Sequence, residues 1–230
     1  MPILGVVRAD APTNDLIADK IEIAILDHRL PPDTKLTEDE LSSIYGVGRT
    51  VIRGALQALS HRGLVEIKRN RGAFVAKPSV REAREVLEAR ALLEPRTARS
   101  AALRAKPADI RKLHAHIDSE HAALEAGDNG LAVYLSGQFH IAIARIADQE
   151  TIASFISGLV ARSSLIIALY WRRRDALCES HAHHALLDAL GSGDGDRAEE
   201  LMTSHLVDLS SCLDLSDRGE RPVSLREALR

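Results

Sequence analysis

A mainly α chain built as two units is what the sequence predicts, and three observations carry that expectation. Ala and Leu dominate a composition that is 45% hydrophobic but only 3% aromatic, a bias toward packed helices over a β-sandwich. Runs with strand character are confined to the segments LVEIKR and GAFVAK before residue 78. Beyond Pro78-Ser79 every segment has helical periodicity, and the short connections carry Pro107, Gly127, Asp128, Gly191, Gly193 and Gly195, as antiparallel bundle neighbours require. A length of 230 residues suits one large or two small domains at roughly 100–200 residues each.

Taken in order, Leu16, Ile17, Ile21, Ala24 and Ile25 recur on one helical face, and Pro31-Pro32 ends that first helix. A short extended piece follows at 34–36. Thr37 with Glu40 three residues on has capping-box spacing and starts a second helix running to about Ile44. Gly46 offers a left-handed C-cap, and a third helix spans Gly48 to His61, stopping at Gly63. Two short helices joined by so brief a turn form a helix-turn-helix. The two β-rich runs flank Asn70-Arg71-Gly72 as a hairpin, which completes a winged helix-turn-helix over residues 1–77. An all-α helical bundle is expected at 78–215, with helices near 79–104, 107–126, 129–147, 149–172, 175–191 and 194–214. Pro95 should kink or split the first of these. A polar flexible tail takes 216–230.

The formal net charge of −3 and pI near 6.4 argue against a protein that coats nucleic acid, but the average conceals a division. From Tyr45 to Lys77 seven Lys or Arg face the single acid Glu66. Arg49 and Arg53 lie one turn apart at the start of the third helix, beside Thr50. In a winged helix that end enters the major groove, where arginine pairs bidentately with guanine and the helix N-terminus meets phosphate. Val51, Ala55, Leu56 and Leu59 form the opposite, core-facing side. Lys68, Arg69 and Arg71 surround Gly72 at the wing tip, suited to phosphate or minor-groove contact. With few aromatic rings to stack on bases, the expected partner is double-stranded DNA.

Eight of the ten histidines lie beyond Pro78. By helical phase His140, His183 and His205 point inward from three different helices, while His184 lines up with Ser180 and Asp188 and His114, His121 and His181 lack a strong apolar context, so these four are expected on the surface or behind the inner histidines. Three inward imidazoles suit a divalent metal such as zinc or nickel; three hydrogen-bonded core histidines fit the same phase. Arg162 interrupts the most apolar stretch, Ile152 to Trp171, and needs either a polar cavity or an exit to the bundle edge. That stretch is about long enough to span a bilayer, but its arginine and serines favour a buried bundle helix. Cys178 and Cys212 form no disulfide framework, and the N-terminus lacks signal-peptide pattern, so a reducing, cytoplasmic setting is expected.

The segment PPDTKLTEDELSSIYGVGRTVIRGALQALSHRGLVEIKRNRGAFV resembles the DNA-binding domain of the GntR family of bacterial transcription regulators. The resemblance implies DNA contact at Arg49, Thr50, Arg53 and the wing around Gly72. Two departures are Gly48, where the family usually has Ser or Thr, and Gly54, where Glu is common. EVLEARALLEPRTARSAA, QFHIAI and HHALLDALGSGDGDRAEELMTSHL resemble the all-helical ligand-binding FCD domain of the FadR-type subfamily, in which many members hold a divalent metal through an Asp and three His. The histidines correspond to His140, His183 and His205. Ser136 stands where the family's D-x-x-F-H motif has its acid, and serine is a poor ligand for a divalent ion. Glu179 is a conceivable replacement. The resemblance also puts Arg90 toward an effector cavity, where a guanidinium fork would bind a carboxylate.

These readings combine into a ligand-responsive transcription regulator, a repressor acting as a homodimer on a pseudo-palindromic operator and answering to a small organic acid, with no organic cofactor and no membrane. Arg90, Ser136 and Arg162 are the expected effector contacts. Two alternatives stand beside it: a metal-dependent hydrolase using a histidine-bound water, and a constitutive DNA binder that senses nothing.

Overall fold

A computed structural model describes residues 13–171 and 178–216. Helix α1 (Thr13–Leu26), strand β1 (Lys35–Leu36), helices α2 (Glu38–Tyr45) and α3 (Arg49–His61), and strands β2 (Val65–Lys68) and β3 (Gly72–Val75) make the N-terminal unit. Six helices follow: α4 (Val80–Ala102), α5 (Pro107–Glu125), α6 (Asn129–Ile146), α7 (Glu150–Tyr170), α8 (Cys178–Ser192) and α9 (Gly195–Ser211). The flexible tail expected at 216–230 falls almost wholly outside the described residues, as does the side chain of Glu179.

In the first unit β3 lies between β1 and β2, antiparallel to both, with Lys68 opposite Gly72 at the wing tip. Asn70 turns the hairpin with φ +59° and Gly72 with φ +94°, conformations that favour these two residue types. Ile17, Ile21 and Ile25 of α1 meet Ile52, Ala55, Leu56 and Leu59 of α3 in one core. The helix-turn-helix joint uses Gly46 at φ +65° as its left-handed cap. The expected capping box of α2 does not close. Thr37 caps no backbone N–H, and its hydroxyl instead donates to Glu40 at 3.1 Å, so the glutamate is drawn from its backbone target.

Helix α4 does begin with a closed capping box, Ser79 to Glu82. It runs through Pro95 without being split. Interior proline costs a helix ~3 kcal/mol, but Ala83, Val86 and Leu87 before it and Ala98, Ala101 and Ala102 after it are all buried, so both halves are fixed by packing. Helix α4 packs against α6, α7, α8 and α9, while α5 packs on α6 and α8. Phe139, Ile117, Ile143, Ile166 and Leu186 fill the bundle core.

The two units share a seam. Ala161 and Leu165 of α7 belong to the same apolar cluster as the winged helix. Ser164 donates to the Leu26 carbonyl at 2.9 Å, and the His28 ring contacts Ser164 at 3.0 Å. At Gly130 a Cβ atom would fall 1.9 Å from the Asp27 carbonyl oxygen, so only glycine lets α6 start against the end of α1. Helix α7 has the length and composition of a membrane span, with a mean hydropathy of 1.9. Here its apolar surface packs on α4 and α6 and reaches the winged-helix core.

Candidate functional site

On the N-terminal unit, the residues expected to read DNA lie at the start of α3 and around the β2–β3 turn, all of them exposed except the half-buried Lys68. Arg49, Thr50 and Arg53 are exposed at the start of α3, whose Gly48 N-cap has no side chain to occupy the first free N–H groups. Arg49 pairs with Asp39 at 2.6 Å and Arg53 with Glu38 at 2.8 Å. Both pairs link the recognition helix to α2 at the surface, where water keeps them weak and exchangeable for phosphate or a base. At the wing, Arg69 and Arg71 are exposed, and the Lys68 ammonium lies 4.9 Å from the Phe74 ring centroid. Lys68 also pairs with Glu66 at 3.1 Å, which leaves Arg69 and Arg71 as the wing's more available cations.

Inside the bundle, His140 of α6, His183 of α8 and His205 of α9 converge, with one ring nitrogen of each lying within 4.8 Å of the others. All three are buried. Two buried carboxylates that sequence reasoning missed stand behind them. Glu94 accepts from His140 Nδ1 at 2.6 Å, and Glu120 accepts from His183 Nδ1 at 3.0 Å. Each contact fixes a tautomer, turning the Nε2 lone pair toward the centre. His183 Nε2 is buried there with no hydrogen-bond partner, and the Nε2 atoms of His140 and His205 face each other at 3.1 Å. Two lone pairs at that distance require a proton or a cation between them.

Electrostatics favours the neutral imidazole at His140 and His205. Burial pushes His140 down from 6.5 against the opposing pull of Glu94, and burial together with the neighbouring His140 and His183 pushes His205 well below it. Burial works to raise Glu94, but the Arg90 guanidinium and His140 outweigh it and hold that carboxyl well below the usual carboxylate range. Arg90 meets Glu94 through Nε at 2.5 Å and Nη2 at 3.3 Å. Its charge is thus partly committed within the protein. The only sequence cue for Glu94 was its position one turn after Arg90; Glu120 gave none, because its partner is 63 residues away.

A cavity of about 500 Å³ opens beside the triad, with His140, His205, Arg90 and Ser136 in its walls. Its far wall comes from the winged helix, where Asp19, Glu22 and Arg62 meet. Arg62 bonds Asp19 at 2.9 Å and also pairs with Glu22. Burial raises the Glu22 carboxyl, against the lowering effect of Arg62. Arg162, expected at the effector, is not one of these wall residues. It packs over Gly63 and lies 3.9 Å from Glu82, because its position on α7 turns it to the edge of the seam.

Residues 13–75 match the bacterial regulatory proteins of the gntR family, and residues 85–208, more than half of the chain, match the FCD domain. The chain belongs to the GntR family. The HTH-type transcriptional repressor RspR of Escherichia coli is 27% identical over 202 residues, covering 86% of this chain and 88% of the relative. LutR, an HTH-type transcriptional regulator of Bacillus subtilis, is 27% identical over 206 residues, covering 80% and 93%. Among solved structures, a GntR regulator from Rhodococcus sp. RHA1 has a TM-score of 0.75 at 22% identity over 86% of this chain and 95% of that one. E. coli McbR/YncC has 0.78 at 18% identity, covering 87% and 96%. These structures bear on the fold: a winged helix followed by a helical bundle. As a GntR member the chain is a DNA-binding transcription regulator and not an enzyme, which removes the hydrolase alternative.

Proposed function

We propose that this GntR regulator is a cytoplasmic repressor that reads duplex operator DNA through residues 1–77 and releases it when a small carboxylate binds the bundle of residues 78–215. The observation that carries this reading is the position of the cavity. Its walls combine Arg90, Ser136, His140 and His205 with Asp19, Glu22 and Arg62 of the DNA-reading unit. A ligand there touches both units, so its binding energy can differ between two arrangements of the winged helix, which is what coupling requires. On the DNA side the contacts are Arg49, Thr50, Arg53, Arg69, Arg71, Gly72 and, more weakly, Lys68.

A divalent ion, zinc or nickel, fits the triad by its donor set. The buried, unpartnered His183 Nε2 and the facing Nε2 atoms of His140 and His205 offer three neutral ligands. With zinc–nitrogen bonds of about 2.0–2.1 Å, two ligands in tetrahedral array stand ~3.3 Å apart, close to the 3.1 Å between His140 and His205. The ion would supply a positive centre with open positions for the effector carboxylate. Ser136 contributes no carboxylate, so more of that charge is left for the effector, at some cost in metal affinity. Glu94 and Glu120 hold the imidazoles in the binding tautomer from outside.

Two copies are needed to read an operator selectively. A surface suited to a second copy lies where α4 meets α7: Leu92, 70% exposed, lines a groove with Leu93 and Ile152, and Phe155, 61% exposed, follows one turn after Ile152 on α7. Arg96 and Arg99 edge the groove beside it.

Fluorescence anisotropy on DNA from the protein's own upstream region tests the reading, with a set of small organic acids added to metal-loaded protein. At least one acid should weaken binding, and Arg49→Ala or Arg53→Ala should reduce affinity between about fivefold and hundredfold. Binding indifferent to both substitutions and to every acid would overturn it.

A further inference from the structure

The wing carries positive charge beyond its tip. In the small sheet Phe74 of β3 stands between Lys35 of β1 and Glu66 of β2, and residues paired in this way share one face. The Lys68–Gly72 pair lies on that same outer face at the tip. Leu36, Val65, Ala73 and Val75 take the other face and are buried in the winged-helix core.

Around the Phe74 ring stand the Lys68 ammonium at 4.9 Å from the centroid, the Arg71 guanidinium carbon at 5.7 Å and the Lys35 ammonium at 6.0 Å. The face of an aromatic ring attracts cations at such distances, but like charges brought together repel one another. Lys68 is compensated by Glu66 at 3.1 Å and Asp33 at 3.7 Å. Lys35 and Arg71 have no carboxylate partner among the described residues. Lys35 is exposed, and its stem reaches over the wing tip: a Cβ placed on Gly72 would lie 3.9 Å from Lys35 Cε.

We propose that the outer face of the wing sheet is a further contact to the sugar-phosphate backbone of the duplex, with Lys35 as its phosphate-binding cation, so that the DNA-facing surface runs from the wing tip onto β1. Phosphate is the occupant because this face is continuous with Arg69, Arg71 and Gly72 at the tip and because an uncompensated ammonium is a point charge suited to a phosphate oxygen. The role of Lys35 rests on the reading that the wing meets DNA. Lys35 precedes the basic stretch that opens at Tyr45, and it reaches the tip only because β1 pairs with β3.

Fluorescence anisotropy of the full-length protein over a range of potassium chloride concentrations provides the test, on DNA from its own upstream region and on an unrelated duplex of equal length. Lys35→Gln, an exposed change that spares the fold, should weaken binding to both duplexes by the same factor. It should also flatten the slope of log affinity against log salt by about 0.9, the signature of one phosphate contact fewer. The affinity gap to the unsubstituted protein should accordingly narrow about threefold from about 50 to about 200 mM salt. Lys35→Arg should keep the slope. An unchanged slope in Lys35→Gln beside a flattened one in Arg71→Gln would overturn the role of Lys35 and leave the wing reading standing, whereas unchanged slopes in both would overturn the two together. A loss in Lys35→Gln confined to the upstream DNA would mark base recognition and overturn phosphate contact.

Discussion

At the scale of single residues, the bundle interior depends on hydrogen bonds that set tautomers. Glu120 orients His183, and Ser136 lies in the wall of the cavity beside the triad, one turn before His140. These two positions give opposite predictions. Glu120→Gln keeps the shape but removes the charge behind His183, and should weaken metal binding by about 10–100-fold. Ser136→Asp adds an anionic ligand one turn before His140 and should strengthen it. Competition with a chromophoric chelator measures both. A change in the same direction for both would contradict the assigned roles. Arg90 works differently: it is buried against Glu94, so removing it would strand a buried carboxylate at a cost of ~3–5 kcal/mol. A loss of effector response in Arg90→Ala therefore needs a folding control before it is read as lost recognition.

Among elements, the contact of α1 with α6 and α7 is the joint through which a ligand in the cavity would act. Gly130 sets its closeness. In Gly130→Ala the new methyl group meets backbone, not a movable side chain, so α6 must retreat from Asp27. Overpacking of this kind costs about 1–3 kcal/mol, and the His28–Ser164 and Ser164–Leu26 contacts lie in the same joint. Thermal unfolding should show the loss of stability. Operator binding should become less responsive to effector, while the intrinsic affinity of α3 for DNA changes little. A variant with unaltered stability and unaltered response would show that the joint carries no coupling.

For the molecule as a whole, two outcomes follow. Folded His140 and His205 have affinities for protons lowered from the ordinary 6.5 by burial, so the unfolded chain binds more protons once pH falls below that value. Stability should therefore decline as pH drops through about 6.5 in metal-free protein, and Glu94, depressed in the fold, adds loss in the same direction at lower pH. Denaturant titrations at a series of pH values check this, and a rise in stability on acidification over that range would contradict neutral buried imidazoles. Assembly gives the second outcome. If a second copy covers Leu92 and Phe155, Leu92→Asp should shift the light-scattering mass toward the monomer and weaken operator binding, leaving the far-ultraviolet helix signal unchanged.

The helices, the hairpin and the exposure of Arg49 and Arg53 at the start of α3 were legible in the chain because each depends on local spacing. Apolar residues three and four apart, glycine at a left-handed cap, and Arg49 and Arg53 one turn apart are properties of neighbours in sequence. The same local rules brought His140, His183 and His205 inward. They failed at Pro95, where packing on both sides carries the helix through, and at Thr37, where a competing local contact with the Glu40 carboxylate takes the hydroxyl from the backbone. Only the tertiary structure decided that Glu94 and Glu120 stand behind the histidines, that Arg162 turns to the seam, and that Arg62 reaches the cavity. Each of these is a contact between distant segments, set by how the helices rotate as they bury their apolar faces, and that rotation has no signature in the spacing of any one helix.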